Sequence, residues 1–76
     1  MALPLSIGFG EAVKTARAER GVSQEELGRR SGLHRAHVGE IERGEVSPTL
    51  DSVQMIADAL GVAPSELLAA AEASAA

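Results

Sequence analysis

Apolar residues recur at helical spacing along most of the 76-residue chain. In the clearest stretch, from Leu50 to Leu60, the apolar residues at positions 50, 53, 56, 57 and 60 fall on one face of a helix. Thr49 is a suitable N-cap for this helix, and Gly61 ends it. No convincing strand pattern occurs, so the sequence predicts an all-α fold.

Five helices are predicted, and residues 7–70 are expected to form one domain. Residues 1–6 are interpreted as a flexible leader. Residues 71–76 favour helix by propensity but offer nothing to bury, so a frayed C-terminal tail is expected. The predicted helices cover about residues 7–20, 24–31, 34–43 and 50–60, and the last one starts at Pro64.

The first helix carries a charged residue on its apolar stripe. Phe9, Val13 and Ala16 define the stripe, and Arg17 falls on it as well. A buried arginine needs a partner, and Glu42 flanks the buried side of the third helix. We therefore predict a partly buried ion pair between Arg17 and Glu42; the alternative is that both side chains are exposed.

The stretch from Gln24 to Gly44 reads as two short helices joined by a tight turn. Ser23 is the expected N-cap of the first, and Glu26 completes a capping box. Gly32 stops this helix, and the missing side chain of Gly28 would let the second helix come close. Two helices joined in this way form a helix-turn-helix unit, whose second helix enters the major groove of DNA.

The second helix of this unit has two different faces. Val38 and Ile41 define its buried side, and Arg35 lies on a flank in the first turn. Small residues alternate with long polar ones on the opposite face, which would allow another surface to approach the backbone. The residues on that face are Ala36, Gly39, Glu40 and Arg43.

The charge distribution supports a nucleic-acid partner although the total charge does not. The net charge is −4, but all seven Lys and Arg residues lie between Lys14 and Arg43, where only five acids occur. A basic face can contact phosphate while the acidic remainder keeps the molecule in solution. The single aromatic residue, Phe9, argues against a stacking platform for single-stranded nucleic acid. The absence of cysteine and of a long apolar run favours a cytoplasmic protein without a membrane segment.

The pattern Gln-x-x-Leu-Gly-x-x-Ser-Gly-Leu, followed by Val-x-x-Ile-Glu-Arg-Gly, resembles the Cro and phage-repressor type of helix-turn-helix regulator, the Xre family. The resemblance extends from Phe9 to about Leu68. It implies a compact five-helix, lambda-repressor-like DNA-binding domain with the helix-turn-helix at its second and third helices. His34 and His37 depart from the residues that are usual in the family. Among subtypes, the controller proteins of restriction–modification systems match well in size.

Three residues of the second helix are candidates for reading bases. Arg35 could bond the O6 and N7 atoms of guanine in bidentate fashion. Ala36 could touch a thymine methyl group. Glu40 could accept a bond from cytosine N4; the alternatives are that it orients Arg35 or Arg43, or that it is an exposed bystander.

A second group of residues is expected to contact the DNA backbone. Gln24 stands at a helix N-terminus, which attracts anions, and it resembles the phosphate-contacting glutamine of the family; the alternative is an exposed helix start. Ser23, His37 and Arg43 are the other candidates for phosphate contacts. His34 and His37 have a spacing that could hold a metal ion, but no third ligand converges on them, so neither a metal nor a cofactor is expected.

A two-fold dimer is expected because one helix-turn-helix unit covers only a few base pairs. Four apolar residues near the C-terminus are the predicted interface: Leu60, Val62, Leu67 and Leu68. The alternative is that these residues close the core of the monomer.

Together these patterns predict a sequence-specific regulator of transcription that binds double-stranded DNA. We expect it to act as a homodimer on an inverted-repeat operator, with the recognition helix, about His34 to Arg43, in the major groove. No catalytic constellation is visible, so the chain is not expected to be an enzyme, and no small-molecule effector is expected. The alternative is an antitoxin-like or adaptor module whose main partner is another protein.

Overall fold

Five α-helices account for most of residues 4–75, the part of the chain that the computed structural model describes. The predicted all-α fold is confirmed, and the second, third and fourth helices lie within one residue of their predicted bounds. The helices are α1 (Leu5–Glu19), α2 (Gln24–Ser31), α3 (Arg35–Glu42), α4 (Leu50–Leu60) and α5 (Pro64–Ala75).

One apolar core holds the helices together. α1 packs along α5 and against α3, while α2 packs on both α3 and α4. Each of the first four helices inserts large side chains into this core. The helix-turn-helix therefore packs against several other helices and not against a single neighbour. The largest fully buried side chains are Phe9, Val13, Leu27, Val38, Ile41 and Ile56.

The first helix begins earlier than its apolar stripe suggested. The carbonyl oxygen of Pro4 accepts a hydrogen bond from the Ile7 N–H at 3.0 Å, and α1 starts at Leu5. The expectation of a loose leader is therefore wrong for residues 5 and 6, and residues 1–3 lie outside the described residues. The stripe gave no signal here because Leu5 and Ile7 are both exposed.

The C-terminal helix also differs from the expected frayed tail. Ala71 is fully buried, and α5 continues to Ala75. A Cβ atom placed on Gly8 would collide with the carbonyl oxygen of Ala71, so the bare backbone at Gly8 lets α1 and α5 cross closely. The expectation that this segment has nothing to bury is wrong because a close crossing can bury a methyl group that carries little apolar signal.

Two of the four leucine and valine residues expected at a dimer interface belong to the monomer core. Leu60 and Leu67 are buried, while Val62 and Leu68 are half-buried against the same core. α4 and α5 are bent by 106° relative to each other, and both contribute a leucine to the common core. The predicted dimer interface is thus corrected for Leu60 and Leu67, whose side chains a second copy could not reach.

Within residues 4–75, no single helix has both the length and the apolar character needed to cross a membrane. Only α4 and α5 taken together meet those criteria, across their sharp bend.

Candidate nucleic-acid interface

The turn between α2 and α3 depends on two glycines. Gly32 ends α2 with a φ of 80°, a left-handed conformation that other residues rarely adopt. A Cβ on Gly28 would lie 2.9 Å from both the backbone nitrogen of Arg35 and the carbonyl oxygen of Leu33. The missing side chain of Gly28 therefore permits the close approach of the two helices that the sequence suggested.

The orientation of α3 follows from its two buried anchors. Val38 and Ile41 are fully buried in the core. Arg35 and Ala36 consequently face outward and are exposed, and Glu40 is half-buried. The Arg35 side chain is 70% exposed, and its only charged neighbour is Glu25, with 3.9 Å between Nη1 and Oε2, among the described residues. Water screens such a pair, so a ligand can displace Glu25 at low cost.

A buried ion pair fixes the end of α3 to α1. Arg17 Nε donates to Glu42 Oε2 at 2.7 Å, and Arg17 Nη2 donates to Glu42 Oε1 at 3.1 Å. Arg17 Nη1 also donates to the carbonyl oxygen of Val22 at 2.9 Å. The Glu42 side chain is only 3% exposed, and the hydrogen bonds to it raise the pKa of Arg17. The structure thus brings together the two residues that the sequence analysis paired.

The start of α2 is linked to the same ion pair. Gln24 Nε2 donates to Glu42 Oε1 at 2.9 Å, so one amide hydrogen points inward and the other remains available. Ser23 Oγ accepts from the Glu26 N–H at 3.0 Å, as an N-cap does. The second half of the predicted capping box is wrong, because the Glu26 carboxylate bonds to Arg29 and Arg30 instead of the Ser23 N–H.

Glu40 contacts a residue that the sequence analysis did not consider for it. Its Oε1 atom lies 3.2 Å from His37 Nδ1, one turn away on α3. Glu40 therefore makes its side-chain hydrogen bond with His37, and its charge also contributes to raising the pKa of Arg43. No group of three His, Cys, Asp or Glu side chains within residues 4–75 could hold a metal ion.

Arg43 is held against the outer face of α3. Arg43 Nε donates to Glu45 Oε2 at 2.8 Å, and Arg43 Nη2 donates to Glu45 Oε1 at 3.2 Å. These bonds raise the pKa of Arg43 and lower the pKa of Glu45. Arg43 Nη1 reaches over Gly39, which is buried beneath it and still lines the outer face of α3. Sequence reasoning missed Glu45; the signal was an acid two residues after an arginine, across a glycine that ends the helix.

Other basic residues serve the fold. Arg20 Nε donates to the carbonyl oxygen of Leu60 at 2.8 Å, which ties α1 to the end of α4. Arg29 and Arg30 both bond to Glu26 on the exposed side of α2. These three arginines are therefore already paired with other groups of the protein.

The outer face of α3 and the start of α2 together line a shallow concave surface. It presents guanidinium and amide donors around two small residues, a combination suited to base edges and phosphates. Its lining residues are Gln24, Arg35, Ala36, Gly39, Glu40 and Arg43.

Comparisons with known proteins agree with this geometry. A family model described as helix-turn-helix, HTH_3, matches residues 13–67. Control protein C.BamHI of Bacillus amyloliquefaciens is 41% identical over 61 residues, which cover 79% of this chain and 75% of that protein. The crystal structure of the restriction-modification controller protein C.AhdI from Aeromonas hydrophila has a TM-score of 0.80 at 39% identity, covering 82% of this chain and 94% of its own.

A second solved structure matches over almost the whole chain. The clp gene regulator ClgR from C. glutamicum has a TM-score of 0.93 at 28% identity, covering 97% of this chain and 96% of its own. The similarity to ClgR therefore extends beyond the two helices of the motif to all five helices.

Proposed function

The chain belongs to the HTH_3 helix-turn-helix family of DNA-binding transcriptional regulators, and from this premise we propose that it regulates transcription by sequence-specific binding of double-stranded DNA through α3. The observation that carries the proposal is the orientation of α3. Val38 and Ile41 anchor its inner face in the core, while Arg35 and Ala36 project into solvent. A helix held in this way can enter the major groove with its first turn against the base edges.

Arg35 is the principal base reader in this proposal. It lies in the first turn of α3, it is exposed, and its contact with Glu25 is long and screened by water. Its guanidinium can therefore form the bidentate contact with guanine O6 and N7. Ala36 is the neighbouring contact for a thymine methyl group, and Glu40 is available for cytosine N4 if its bond to His37 opens.

The start of α2 positions the protein on the DNA backbone. The amide hydrogen of Gln24 that does not bond Glu42 can donate to a phosphate oxygen, as can the Ser23 hydroxyl. The N-terminal N–H groups of α2 add the positive end of the helix dipole. His37, on the other flank of α3, is a further candidate phosphate contact: with Nδ1 donating to Glu40, its Nε2 can donate to a phosphate only when the ring carries both protons.

We expect a homodimer, because two recognition helices about 34 Å apart are needed for a two-fold operator. An apolar groove lies between the starts of α1 and α4 and the middle of α5, and it replaces the interface predicted from Leu60 and Leu67. Leu50, which is 81% exposed, borders this groove together with Leu5 and Leu68. The groove is lined in part by the loop that follows α3. A second copy of the chain bound there would therefore set the distance between the two recognition helices.

Sedimentation of purified protein tests the dimer. Leu50→Asp should convert the dimer to a monomer, because it places a charge in an apolar contact. Met55→Asp makes the same kind of change at an exposed apolar residue outside the groove and should leave the dimer intact. A wild-type protein that stays monomeric at high concentration, or equal effects of the two variants, would contradict this interface.

The subtype that we propose is a controller of a restriction–modification system. Support comes from C.BamHI, called a control protein, and from C.AhdI, called a restriction-modification controller protein. A short inverted repeat upstream of the coding region, beside an endonuclease gene, is the expected genomic setting. The competing idea, an antitoxin-like or adaptor module whose main partner is another protein, is less well supported because Leu60 and Leu67 are buried within the chain.

Selection from a pool of random DNA duplexes tests the proposed function. The wild-type protein should enrich a two-fold motif and lose affinity steeply as salt rises. Arg35→Ala should remove preference at one base pair of each half-site while it leaves binding to random DNA nearly unchanged. Lys14→Ala removes the same charge from exposed α1 and should keep the motif. An Arg35→Ala variant that selects the wild-type motif would refute the assignment of α3.

A further inference from the structure

Arg43 occupies an unusual position on the outer face of α3. Gly39 precedes it by four residues, and side chains on a helix lean toward the N-terminus, so Arg43 extends back over Gly39. A Cβ on Gly39 would lie 2.9 Å from Arg43 Nη1. The bare backbone at Gly39 leaves room for the guanidinium in this position, and a side chain there would displace it.

The end of α3 brings a carboxylate to the other side of this guanidinium. Gly44 has a φ of 71°, and the chain reverses there. The Glu45 N–H donates to the carbonyl oxygen of Glu40 at 3.0 Å, and the Gly44 N–H donates to that of Ile41 at 3.1 Å. This pair of bonds is the Schellman arrangement, and it returns Glu45 to the side of Arg43.

The carboxylate leaves one edge of the guanidinium available. Glu45 accepts from Nε and from one N–H of Nη2. Both N–H groups of Nη1 and the second N–H of Nη2 remain as donors. Of these three, one N–H of Nη1 and the N–H of Nη2 lie parallel, with the spacing that bonds O6 and N7 of a guanine.

We propose that Arg43 is a second base-reading side chain, directed at a guanine, and that Glu45 and Gly39 are its positioning residues. This inference rests on the proposed function and replaces the phosphate contact that the sequence suggests for Arg43. A phosphate at Arg43 would also approach the Glu45 carboxylate and be repelled by it, whereas the uncharged edge of a guanine would not be repelled. The same guanidinium keeps its directional donors for an uncharged base edge, and it lies in the concave surface that Arg35 and Ala36 also line.

Selection from random duplexes separates a base contact from a phosphate contact. Arg43→Lys keeps the positive charge but loses the planar fork. It should lower the preference for one guanine per half-site by about 10- to 100-fold while the salt dependence of binding stays at the wild-type value. If Arg43→Lys selects the full wild-type motif, or Arg43→Ala weakens binding equally for all sequences and reduces the salt slope by about one, Arg43 contacts phosphate and the proposal is wrong.

Glu45 and Gly39 need tests that a purely structural role would not satisfy. Glu45→Gln and Gly39→Ala should each weaken the same guanine preference, and neither should add to the loss in an Arg43→Lys background. Glu45→Gln should also bind random DNA at least as tightly as wild type, because it removes a negative charge. Asp58→Asn makes the same charge change on an exposed part of α4 and should keep the guanine preference. Additive losses in the double variants would refute the positioning role.

The outcomes distinguish this inference from the proposed function. If the wild-type protein selects no motif, both fail. If it selects a motif that depends on Arg35 but not on Arg43→Lys, only the inference about Arg43 fails.

Discussion

Two neighbouring residues at the end of α3 form ion pairs of the same chemistry in opposite surroundings. Glu42 accepts two hydrogen bonds from Arg17 inside the fold, where its side chain is 3% exposed. Arg43 donates two hydrogen bonds to Glu45 on the outside, where the two side chains are 57% and 52% exposed. Bond geometry is therefore similar in the two pairs, and burial is the main difference between them.

Burial determines what each pair contributes. Removing one partner of the buried Arg17–Glu42 pair, here called the inner pair, leaves a charge with neither water nor a counter-ion, which is costly. The exposed Arg43–Glu45 pair, here called the outer pair, exchanges its bonds with water and adds little to stability. It can therefore direct a side chain toward a ligand. The inner pair fixes the position of α3 in the fold, and the outer pair influences which groups α3 presents to a ligand.

The largest expected effect is on the inner pair. Arg17→Ala should lower the free energy of unfolding by about 3 kcal/mol, because Glu42 would remain buried without its partner. Urea denaturation followed by circular dichroism measures this. Arg43→Ala is the matched control from the outer pair, and its midpoint should stay close to that of wild type. Equal losses of unfolding free energy in the two variants would show that burial does not determine how much each ion pair contributes to stability.

A double variant sharpens the same comparison. Replacing Arg17 and Glu42 together by methionine should recover much of the stability lost in Arg17→Ala, because no unpaired charge remains buried. If the double variant is less stable than Arg17→Ala, the attraction within the ion pair stabilises the fold by more than the cost of burying one unpaired charge.

An intermediate effect is expected at Gln24, which bonds to Glu42 and also lines the concave surface. Gln24→Ala removes one hydrogen bond to Glu42 and should cost about 1 kcal/mol of stability. It should also weaken binding to all duplexes alike, because a phosphate contact carries no sequence information. Denaturation and titration of one selected and one random duplex provide the two readouts. A changed motif in selection would assign Gln24 to base reading instead.

The smallest effect is the pH dependence of the outer pair. The pKa of Glu45 is lowered from its usual value of 4.5, chiefly by hydrogen bonds from Arg43. The unfolded chain thus binds a proton at a higher pH than the folded chain, so this contribution is present above pH 4.5 and is lost as pH falls through the lowered pKa. Below pH 4.5, stability should fall less steeply in Glu45→Gln than in wild type. Identical slopes would mean that the pair has no effect on stability.

The helices of this fold and the inner ion pair could be predicted because they follow from periodicity. Apolar residues at helical spacing marked the stripe of α1, and a charged residue on that stripe pointed to Arg17. The same logic placed Val38 and Ile41 inside, which leaves Arg35 outside. Glycines at φ values above zero marked where the helices end.

The features that could not be predicted depend on where the chain returns in space. Glu45 reaches Arg43 only because Gly44 reverses the chain, and Glu40 bonds His37 by a choice of side-chain rotamer. Ala71 is buried by a crossing with Gly8, and neither residue carries an apolar signal. Leu60 and Leu67 could have served a core or an interface, and only their burial in the folded chain decides between them.

Titration of isotopically labelled protein with its selected DNA duplex, followed by amide NMR shifts, most directly tests whether α3 is the reading surface. The largest changes should occur at residues 35, 36, 39 and 40 and at the start of α2, while the amides around Ala71 in α5 stay in place. Changes confined to α4 and α5, with α3 unaffected, would contradict the assignment of α3 to the major groove.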